Sequence, residues 1–265
     1  MKIDLPNVSN ARDLGGMPTK FGTIKKDKLL RSGILNRLTD DDVAILKQHR
    51  LERVIDLRTD METTNDPDVL IEGVQHIYIP IIRSVTFGIS FESLDGPTMA
   101  TRLEGGLERM RNKGEDYPTH MRAVYARYVR DEFARGGYGR FLKTLANDPV
   151  NGATLWHCTM GKDRCGTSAL LLEYCLGVSK EQIYDDFMES NVQTVNNTNS
   201  ILNRVKPYVT PDKVELIQAM LMVQPYYLEA YFDEMNKLFG GIDGFIAACG
   251  VTASDIENLR KNYLE

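Results

Sequence analysis

Short apolar runs alternate with amphipathic stretches along much of the chain, and this alternation predicts an α/β fold. Residues 51–57 contain the β-branched Val54 and Ile55, with the charged Asp56 and Arg58 at the end of the run, which is typical of a buried central strand. Residues 28–31 and 75–82 predict two further strands. Because helical patterns separate these runs, we expect a parallel-rich central sheet flanked by helices, with the functional site at the carboxyl ends of the strands.

The segment 153–177 has the clearest order of elements. An apolar run at 153–157 predicts a strand, residues 158–164 form a short polar loop, and an apolar helix follows and ends at Gly177. The loop places one cysteine and one arginine at the two ends of a Cys-x5-Arg spacing. A strand, a tight loop and a helix in this order predict an anion site at the helix N-terminus.

The residue types at the two ends of this loop point to phosphoryl transfer. Arg164 can bind two phosphate oxygens with its planar fork, and the helix dipole adds positive potential. The same field favours the thiolate of Cys158, which would then be a nucleophile that forms a phosphocysteine. The alternatives are a buried inert cysteine and a surface arginine.

The stretch His-Cys-x-x-Gly-Lys-Asp-Arg at 157–164 resembles the signature of cysteine-dependent phosphatases, and its Gly-Lys-Asp-Arg form is similar to the bacterial atypical tyrosine/phosphoinositide phosphatase family. Upstream blocks at 10–16, 30–33 and 54–58, the last with Glu62 and Pro67-Asp68, follow in that family's order. The resemblance covers about residues 1–82 and 150–200. It implies a phosphomonoester hydrolase that needs no metal or cofactor and acts on phosphotyrosine, with phosphoserine/threonine and phosphoinositides as open alternatives.

Hydrolysis also needs an acid for the leaving group and a base for the attacking water. Many cysteine phosphatases take the acid from an aspartate loop after an earlier strand, but residues 80–83 contain no carboxylate. Asp163 is therefore the expected acid and base. An orienting role for Asp163 and a carboxylate such as Asp95 remain the alternatives.

The loop itself is expected to bind the phosphate. Gly161 permits close backbone approach, and Lys162 is expected to lower the thiolate pKa or contact a second substrate anion, unless it is solvent-exposed. His157 is expected to hold the loop through local backbone hydrogen bonds. The expected phosphate-binding residues are Thr159, Met160, Gly161, Lys162, Asp163 and Arg164.

Cys165 departs from the family's usual Ser or Thr after the arginine. A thiol is a weak donor, so we expect slower loss of phosphate from Cys158 unless Thr167 or Ser168 substitutes. A phosphate-binding pseudo-phosphatase is the alternative function. A reversible disulfide between Cys158 and Cys165 is a further hypothesis. Sulfur transfer and arsenate reduction fit less well, because no resolving CxxC pair is present.

Three upstream residues are candidates for supporting roles. Arg12 and Asp13 either border the active site or form a capping loop with an internal salt bridge. Arg58 follows a strand, so it is either an ion-pair partner of Asp56 or Glu62 or part of the active-site wall.

Residues from about 84 to 137 differ from the βα pattern and predict an inserted helical lid within a single domain, 1–265. We expect helices at 99–112, interrupted by Gly105-Gly106, and at 119–133, with Gly136-Gly137 ending the insertion. The arginines of this region predict a solvated face or a surface for anionic head groups. Helical patterns punctuated by prolines then continue from 179 to 263.

Composition and charge indicate which classes of binding partner are expected. The chain has 265 residues, of which 42% are hydrophobic and 26% charged, with a net charge of −5, so nucleic acid is not an expected partner. It has neither an apolar run long enough to span a bilayer nor an N-terminal signal-peptide pattern, which predicts no stable membrane insertion. The expected location is cytoplasmic, or secreted after removal of a signal. Four cysteines without metal-site spacing predict no bound metal.

Overall fold

Five strands form a mixed sheet in which four neighbouring strands run parallel. The computed structural model describes residues 1–85 and 96–265. The sheet has the order β1-β4-β7-β5-β6, and only the pair β1 and β4 is antiparallel. The strands are β1 (Arg12–Asp13), β4 (Leu29–Ser32), β5 (Leu51–Asp56), β6 (Gln75–Tyr78) and β7 (Ala153–His157), and β2 (Pro18–Thr19) and β3 (Gly22–Thr23) form a separate hairpin.

Helices cover both faces of this sheet and make up most of the remaining chain. They are α1 (Asp40–Gln48), α2 (Asp60–Asn65), α3 (Gly96–Lys113), α4 (Tyr117–Arg130), α5 (Glu132–Asn147), α6 (Asp163–Leu176), α7 (Lys180–Gln193), α8 (Val195–Val205), α9 (Pro211–Leu221), α10 (Pro225–Phe239), α11 (Ile242–Ala248) and α12 (Ala253–Tyr263), with a 3-10 turn at Lys206–Tyr208. The predicted strands, the parallel sheet and the helices after residue 177 are confirmed. In the described part of the chain, no helix is both long and apolar enough to cross a membrane.

Successive residues of the central strands bury opposite faces of the sheet, as the pleat requires. Leu30, Val54 and Leu155 pack with the N-terminal segment in a smaller hydrophobic cluster. Their neighbours Ile55 and Trp156 face the larger cluster, which contains most of the helices. Since β7 is buried along its whole length, both clusters fix the position of the loop that follows it.

The expected breaks at two glycine pairs are wrong. Helix α3 continues through Gly105-Gly106, and α5 continues through Gly136-Gly137. A helical glycine costs only about 1 kcal/mol relative to alanine, which tertiary contacts can offset. At Gly137 a Cβ would lie 2.8 Å from the backbone oxygen of Pro80, so this glycine serves close packing of α5 against the chain after β6.

Helix α4 is part of the molecular core. It packs against α10 through a buried face that includes Met121, Val124 and Tyr125, while α3 packs against α8. The helical character predicted for the 84–137 region is confirmed for residues 96–113 and 117–130, whereas Asp95 lies outside the described residues. The interpretation of this region as a lid within one domain stays a prediction.

Candidate active site

The loop between β7 and α6 lies at the carboxyl edge of the parallel sheet. Cys158 follows the last residue of β7 and is 2% exposed, and Arg164 lies in the first turn of α6. The residue that precedes α6, Lys162, makes no side-chain cap. The first N–H groups of this helix therefore face the loop without a cap from that side chain, as an anion site requires.

The carbonyl groups of the loop are bound from its outer side. The N–H of Ile34 donates to the Thr159 oxygen at 3.1 Å, and Asn10 Nδ2 donates to the oxygens of Met160 at 3.2 Å and Gly161 at 2.9 Å. In a trans peptide the N–H points opposite to the C=O. The N–H groups that follow these three carbonyls therefore point toward the inside of the loop, which is the arrangement of an anion-binding nest.

Gly161 adopts a left-handed conformation, with φ at +69°. A Cβ at this position would lie 2.5 Å from the backbone carbonyl of Ser32. The expected close approach at Gly161 is therefore present toward the neighbouring strand β4, and any side chain here would push the loop away from the sheet.

The environment of Cys158 favours the thiolate. Burial by itself raises the pKa of this thiol, but a hydrogen bond with Cys165 and the charge of Arg164 outweigh burial and lower it to about 6. Burial and the neighbouring Cys158 raise the pKa of Cys165, which therefore keeps its proton, and its thiol donates to the Ser32 oxygen at 3.7 Å. The hydroxyl of Thr167 instead donates to the Asp163 oxygen of its own helix at 3.0 Å.

Arg164 is held by a carboxylate from α2. Its Nη1 and Nη2 donate to Glu62 Oε2 at 2.7 Å and Oε1 at 2.8 Å, and Thr159 Oγ1 donates to Glu62 Oε1 at 2.6 Å. Glu62 also accepts the N–H of Thr59 in the capping box of α2. One carboxylate thus joins the start of α2 to the loop between β7 and α6 and orients the arginine.

Asp163 is buried at the start of α6 and accepts a hydrogen bond from the hydroxyl of Tyr125 on α4, at 2.6 Å. Burial and the neighbouring Asp163 raise the pKa of Tyr125, so this tyrosine is a neutral donor. The loop is therefore tied to α4 through the side chain expected to transfer protons.

Lys162 is buried, so its solvent-exposed alternative is wrong. Its Nζ donates to the backbone oxygen of Met220 at 2.5 Å and lies 3.9 Å from Asp163 Oδ2. The ammonium group therefore points toward the end of α9, where the Met220 oxygen accepts its hydrogen bond and partners the buried charge.

His157 and Arg58 form a buried charged cluster beneath the loop. His157 Nε2 lies 3.0 Å from Asp68 Oδ2, and its Nδ1 lies 3.4 Å from the Cys158 oxygen. Burial lowers the pKa of His157, but Asp56 and Asp68 raise it above its ordinary value. The expected local backbone contact is thus secondary to a carboxylate contact.

Arg58 bridges the two carboxylates of this cluster, with Nη2 at 2.8 Å from Asp56 and 2.9 Å from Asp68. The ion-pair interpretation of Arg58 is confirmed with Asp56 as partner, and Glu62 pairs with Arg164 instead. The three side chains Asp56, Asp68 and His157 are close enough to hold a cation. The guanidinium already supplies the positive charge between the carboxylates.

The segment of Arg12 and Asp13 has features of both a capping loop and a border of the site. Asp13 caps its own loop by accepting the N–H groups of Gly15 at 2.8 Å and Asp27 at 2.9 Å. The expected internal salt bridge is wrong, because Arg12 pairs with Asp186 on α7. The strand segment borders the site through Asn10, which binds the loop carbonyls.

Several residues that contact or support the loop were not expected from the sequence. Asn10 and Arg31 fall within the upstream blocks of the family resemblance, which is a usable signal. Tyr125 and Asp186 lie on helices without a motif. The fold brings Tyr125 to Asp163, and it connects Asp186 to the loop through Arg31.

Comparisons with known proteins agree with this geometry. A family profile described as the tyrosine phosphatase family matches residues 3–265. The chain is 28% identical over 259 residues to a Cupriavidus necator protein assigned to the tyrosine-protein phosphatases, covering 97% of this chain and 86% of that protein. It is 25% identical over 272 residues to the triple specificity protein phosphatase PtpB of Mycobacterium tuberculosis, covering 97% of each.

A tyrosine-protein phosphatase of Nostoc commune is 31% identical over 164 residues, which are 62% of this chain and 48% of that protein. The resemblance found in the sequence is thus confirmed. With a family match that spans nearly its whole length, the chain belongs to the tyrosine phosphatase family.

Proposed function

We propose that the enzyme hydrolyses phosphotyrosine through a phosphocysteine formed on Cys158. The thiolate sulfur attacks phosphorus, the bond to the tyrosyl oxygen breaks, and Asp163 gives its proton to that oxygen. Water then attacks the phosphocysteine, Asp163 accepts the proton of the water, and the sulfur–phosphorus bond breaks to return the thiolate.

The observation that supports this mechanism best is the combination of an acidic thiol with a preorganised loop. The pKa of Cys158 is about 6, so the nucleophile is ionised near neutral pH without a separate base. The inward N–H groups and Arg164 offer donors where negative charge develops on the phosphoryl oxygens. Because the outer contacts of Asn10 and Ile34 fix the loop, little reorganisation is needed during the reaction.

Arg164 contributes to the same stabilisation while it stays paired with Glu62. A guanidinium has five N–H donors, so binding one carboxylate does not exhaust its capacity to bind phosphate. The pair also keeps the buried charge compensated when no substrate is bound.

The choice of substrate beyond phosphotyrosine depends on the surface beside the loop. A polar cleft of about 470 Å³ borders Thr159 and is lined by side chains that include Asn10, Arg37, Asn196 and Asn197. The name of the PtpB relative indicates triple specificity. We propose that this cleft accepts the part of a phosphorylated peptide or inositol head group that follows the phosphate, with the exposed Arg37 favouring an anionic group.

Steady-state hydrolysis of an aryl phosphate in the presence of a metal chelator tests the mechanism. We expect the fully reduced wild type to turn over, Cys158→Ser to be inactive, and Asp163→Asn to lose most of its kcat together with one limb of the pH profile. If the reduced wild type binds phosphate without hydrolysing it, the chain is a phosphate-binding protein and not an enzyme. Comparing a phosphotyrosine peptide with a soluble inositol phosphate, in wild type and Arg37→Ala, separates the two substrate classes.

The mechanism also bears on location, because Cys158 must be reduced to act. A reducing compartment such as the cytoplasm suits this requirement, and secretion remains the alternative. We expect a phosphorylated protein or phosphoinositide as the partner and no nucleic acid.

A further inference from the structure

Two arginines and two carboxyl groups form a buried cluster on the outer side of the phosphate-binding loop. Arg12 and Arg31 come from neighbouring strands, Glu173 from α6 and Asp186 from α7, and they are 3%, 0%, 1% and 8% exposed. Charged side chains are rarely buried to this degree unless each is paired. The buried charges of this cluster therefore need defined partners, and the hydrogen bonds between them connect the cluster to the loop.

The carboxylate of Asp186 bridges the two guanidinium groups. Its Oδ1 accepts from Arg12 Nε at 2.8 Å and its Oδ2 accepts from Arg31 Nη1 at 2.5 Å. Burial alone would raise the pKa of Asp186, but the two arginines lower it to about 2. Asp186 is thus ionised across the physiological range.

Both arginines continue from Asp186 to the loop. Arg31 Nη2 donates to the Gly161 oxygen at 2.9 Å and lies 3.4 Å from the Lys162 oxygen. Arg12 Nη1 donates to Asn10 Oδ1, and Asn10 Nδ2 in turn donates to the oxygens of Met160 and Gly161. Two routes of hydrogen bonds therefore connect one carboxylate with the Gly161 oxygen, and each route also reaches one neighbouring carbonyl group.

The net charge of the cluster depends on Glu173. Burial and the nearby Asp186 raise the pKa of Glu173 well above its ordinary value, which favours the neutral carboxyl group. With Glu173 neutral, two guanidinium groups face one carboxylate and the cluster carries a net positive charge. The remaining positive charge lies behind a loop whose N–H groups point away from it, toward the thiolate and the bound phosphate, and both anions gain from it in this low-dielectric interior.

We propose that Asp186 is a positioning residue, which holds Arg12 and Arg31 so that the loop carbonyls stay on the outer side and the N–H groups stay directed at the substrate. This proposal rests on the proposed function, because it concerns the loop that binds the phosphate. It assigns a role in the reaction to α7, which contributes no atom to the loop itself.

The variant Asp186→Asn keeps the shape of the side chain and removes its charge. Loss of the bridge frees Arg31 from its second anchor and loosens Gly161, so the N–H groups lose their alignment in the transition state. We expect kcat for an aryl phosphate to fall about 10-fold or more, with a smaller change in KM. Because the loop N–H groups also stabilise the thiolate, the pH midpoint for alkylation of Cys158 by iodoacetamide rises by about half a unit or more.

A matched control is Glu234→Gln, which removes a carboxylate that is also buried and ion-paired. Glu234 binds Arg130 at 2.6 Å and 2.8 Å, and neither residue contacts the loop. We expect wild-type kcat and a wild-type alkylation midpoint in this variant. If Asp186→Asn is folded by circular dichroism and matches the control in both measurements, the positioning role is wrong.

A second variant keeps the test decisive if Asp186→Asn does not fold. Arg31→Lys retains the charge and removes the planar fork, so one ammonium group cannot reach both Asp186 and the loop carbonyls. Like Asp186→Asn, it is expected to lower kcat and to raise the alkylation midpoint of Cys158. Wild-type values of both would overturn the proposal. The alkylation midpoint does not depend on turnover. A shifted midpoint in an enzyme whose wild type fails to hydrolyse aryl phosphates would support positioning by Asp186 while refuting the proposed function.

Discussion

The carboxylate of Glu62 binds the guanidinium of Arg164 through two parallel hydrogen bonds, of 2.7 Å and 2.8 Å. Because Glu62 also caps α2 through Thr59 and accepts the hydroxyl of Thr159, a short surface helix fixes the arginine of the loop between β7 and α6. A bidentate pair restricts the rotation of the guanidinium more strongly than a single contact.

Substitution of Glu62 by glutamine tests this relationship. We expect Glu62→Gln to lower kcat about 10-fold, because the arginine loses its fixed orientation. Binding of phosphate in the ground state is retained, since Arg164 keeps its charge. We also expect the free energy of unfolding to fall by about 3 kcal/mol, because a buried guanidinium loses its counter-charge.

Aryl phosphate kinetics and urea unfolding measure the two effects of Glu62→Gln. Asp60→Asn is the control, since Asp60 lies on the same helix and binds the exposed hydroxyl of Tyr78 at 2.6 Å. A Glu62→Gln enzyme with unchanged kcat would show that Arg164 is positioned by the loop alone.

Asp163 is expected to transfer protons, and Tyr125 is expected to position it. The variant Asp163→Asn should lose about two orders of magnitude in kcat for substrates with poor leaving groups, the range typical of general acid catalysis. Tyr125→Phe removes only the 2.6 Å hydrogen bond and should lower kcat several-fold. Substrates with a highly acidic leaving group should lose less, because they need no proton.

The leaving-group dependence of both variants is the measurement for Asp163. Tyr138→Phe is a matched control, since the Tyr138 hydroxyl binds Thr167 at 2.9 Å and not Asp163. If Asp163→Asn loses the same factor with all leaving groups, Asp163 orients the loop and the acid lies elsewhere.

The strand–loop–helix unit was predictable because all of its signals are local. The expected strand at 153–157 and the helix end at Gly177 agree with β7 and with the left-handed cap after α6. Periodicity, the Cys-x5-Arg spacing and a terminal glycine act within about 25 residues of each other. The local structure of a contiguous motif can therefore be predicted from its own residues.

Contacts between distant segments were not predictable from such signals. Arg31 and Asp186 are 155 residues apart, and Tyr125 and Asp163 are 38 residues apart. The glycine pair at 136–137 shows the same limit, because a local preference for a break was overridden by close packing on Pro80. One sequence contains the residue types of such contacts but not their pairing.

Cys158 is expected to be the one rapidly alkylated cysteine of the chain. Its pKa of about 6 contrasts with those of Cys175 and Cys249, which burial raises to about 12, and with that of the protonated Cys165. Iodoacetamide should therefore label Cys158 with a pH midpoint near 6, and peptide mapping by mass spectrometry identifies the site.

The matched variants Cys165→Ala and Cys165→Ser test the source of this acidity. Alanine removes the neighbouring thiol that lowers the pKa of Cys158, so the alkylation midpoint should rise. Serine supplies a stronger donor, so the midpoint should fall and the phosphocysteine should hydrolyse faster in pre-steady-state burst experiments. Equal midpoints in both variants would assign the lowered pKa to Arg164 and the loop.

Peroxide is expected to join Cys158 and Cys165 reversibly. Both are free cysteines, and each shifts the pKa of the other, so the two thiols are near neighbours. Hydrogen peroxide oxidises the Cys158 thiolate to a sulfenic acid and is reduced to water; the Cys165 thiol then attacks the sulfenic sulfur, and a second water leaves. We expect activity lost in peroxide to return with dithiothreitol in the wild type and to return less completely in Cys165→Ala. Detection of only Cys158 sulfinate, and no 158–165 disulfide, would contradict this prediction.

Glu173 is expected to make the folded protein less stable as the pH rises. Burial raises the pKa of its carboxyl group above the value in the unfolded chain. Between these two pKa values the folded state holds one proton more than the unfolded state. The contribution of Glu173 is therefore fully present below the unfolded pKa and is lost as the pH rises toward the folded pKa, with a slope of about 1.4 kcal/mol per pH unit.

Glu173→Gln removes this proton uptake while keeping a neutral side chain of similar shape. Urea unfolding of wild type and variant between about pH 5 and pH 8 should show the variant gaining stability relative to the wild type as the pH rises. The pH dependence that Asp186 contributes has the opposite sign. Its pKa is lowered to about 2 in the folded state, so its contribution to stability is present above the ordinary aspartate pKa and is lost only in acid, below this pH range. Glu257→Gln, an exposed substitution on α12, is the control and should leave the pH slope unchanged. If the stability difference between Glu173→Gln and the wild type is the same at every pH, Glu173 is ionised in the folded protein and the buried cluster has no net positive charge.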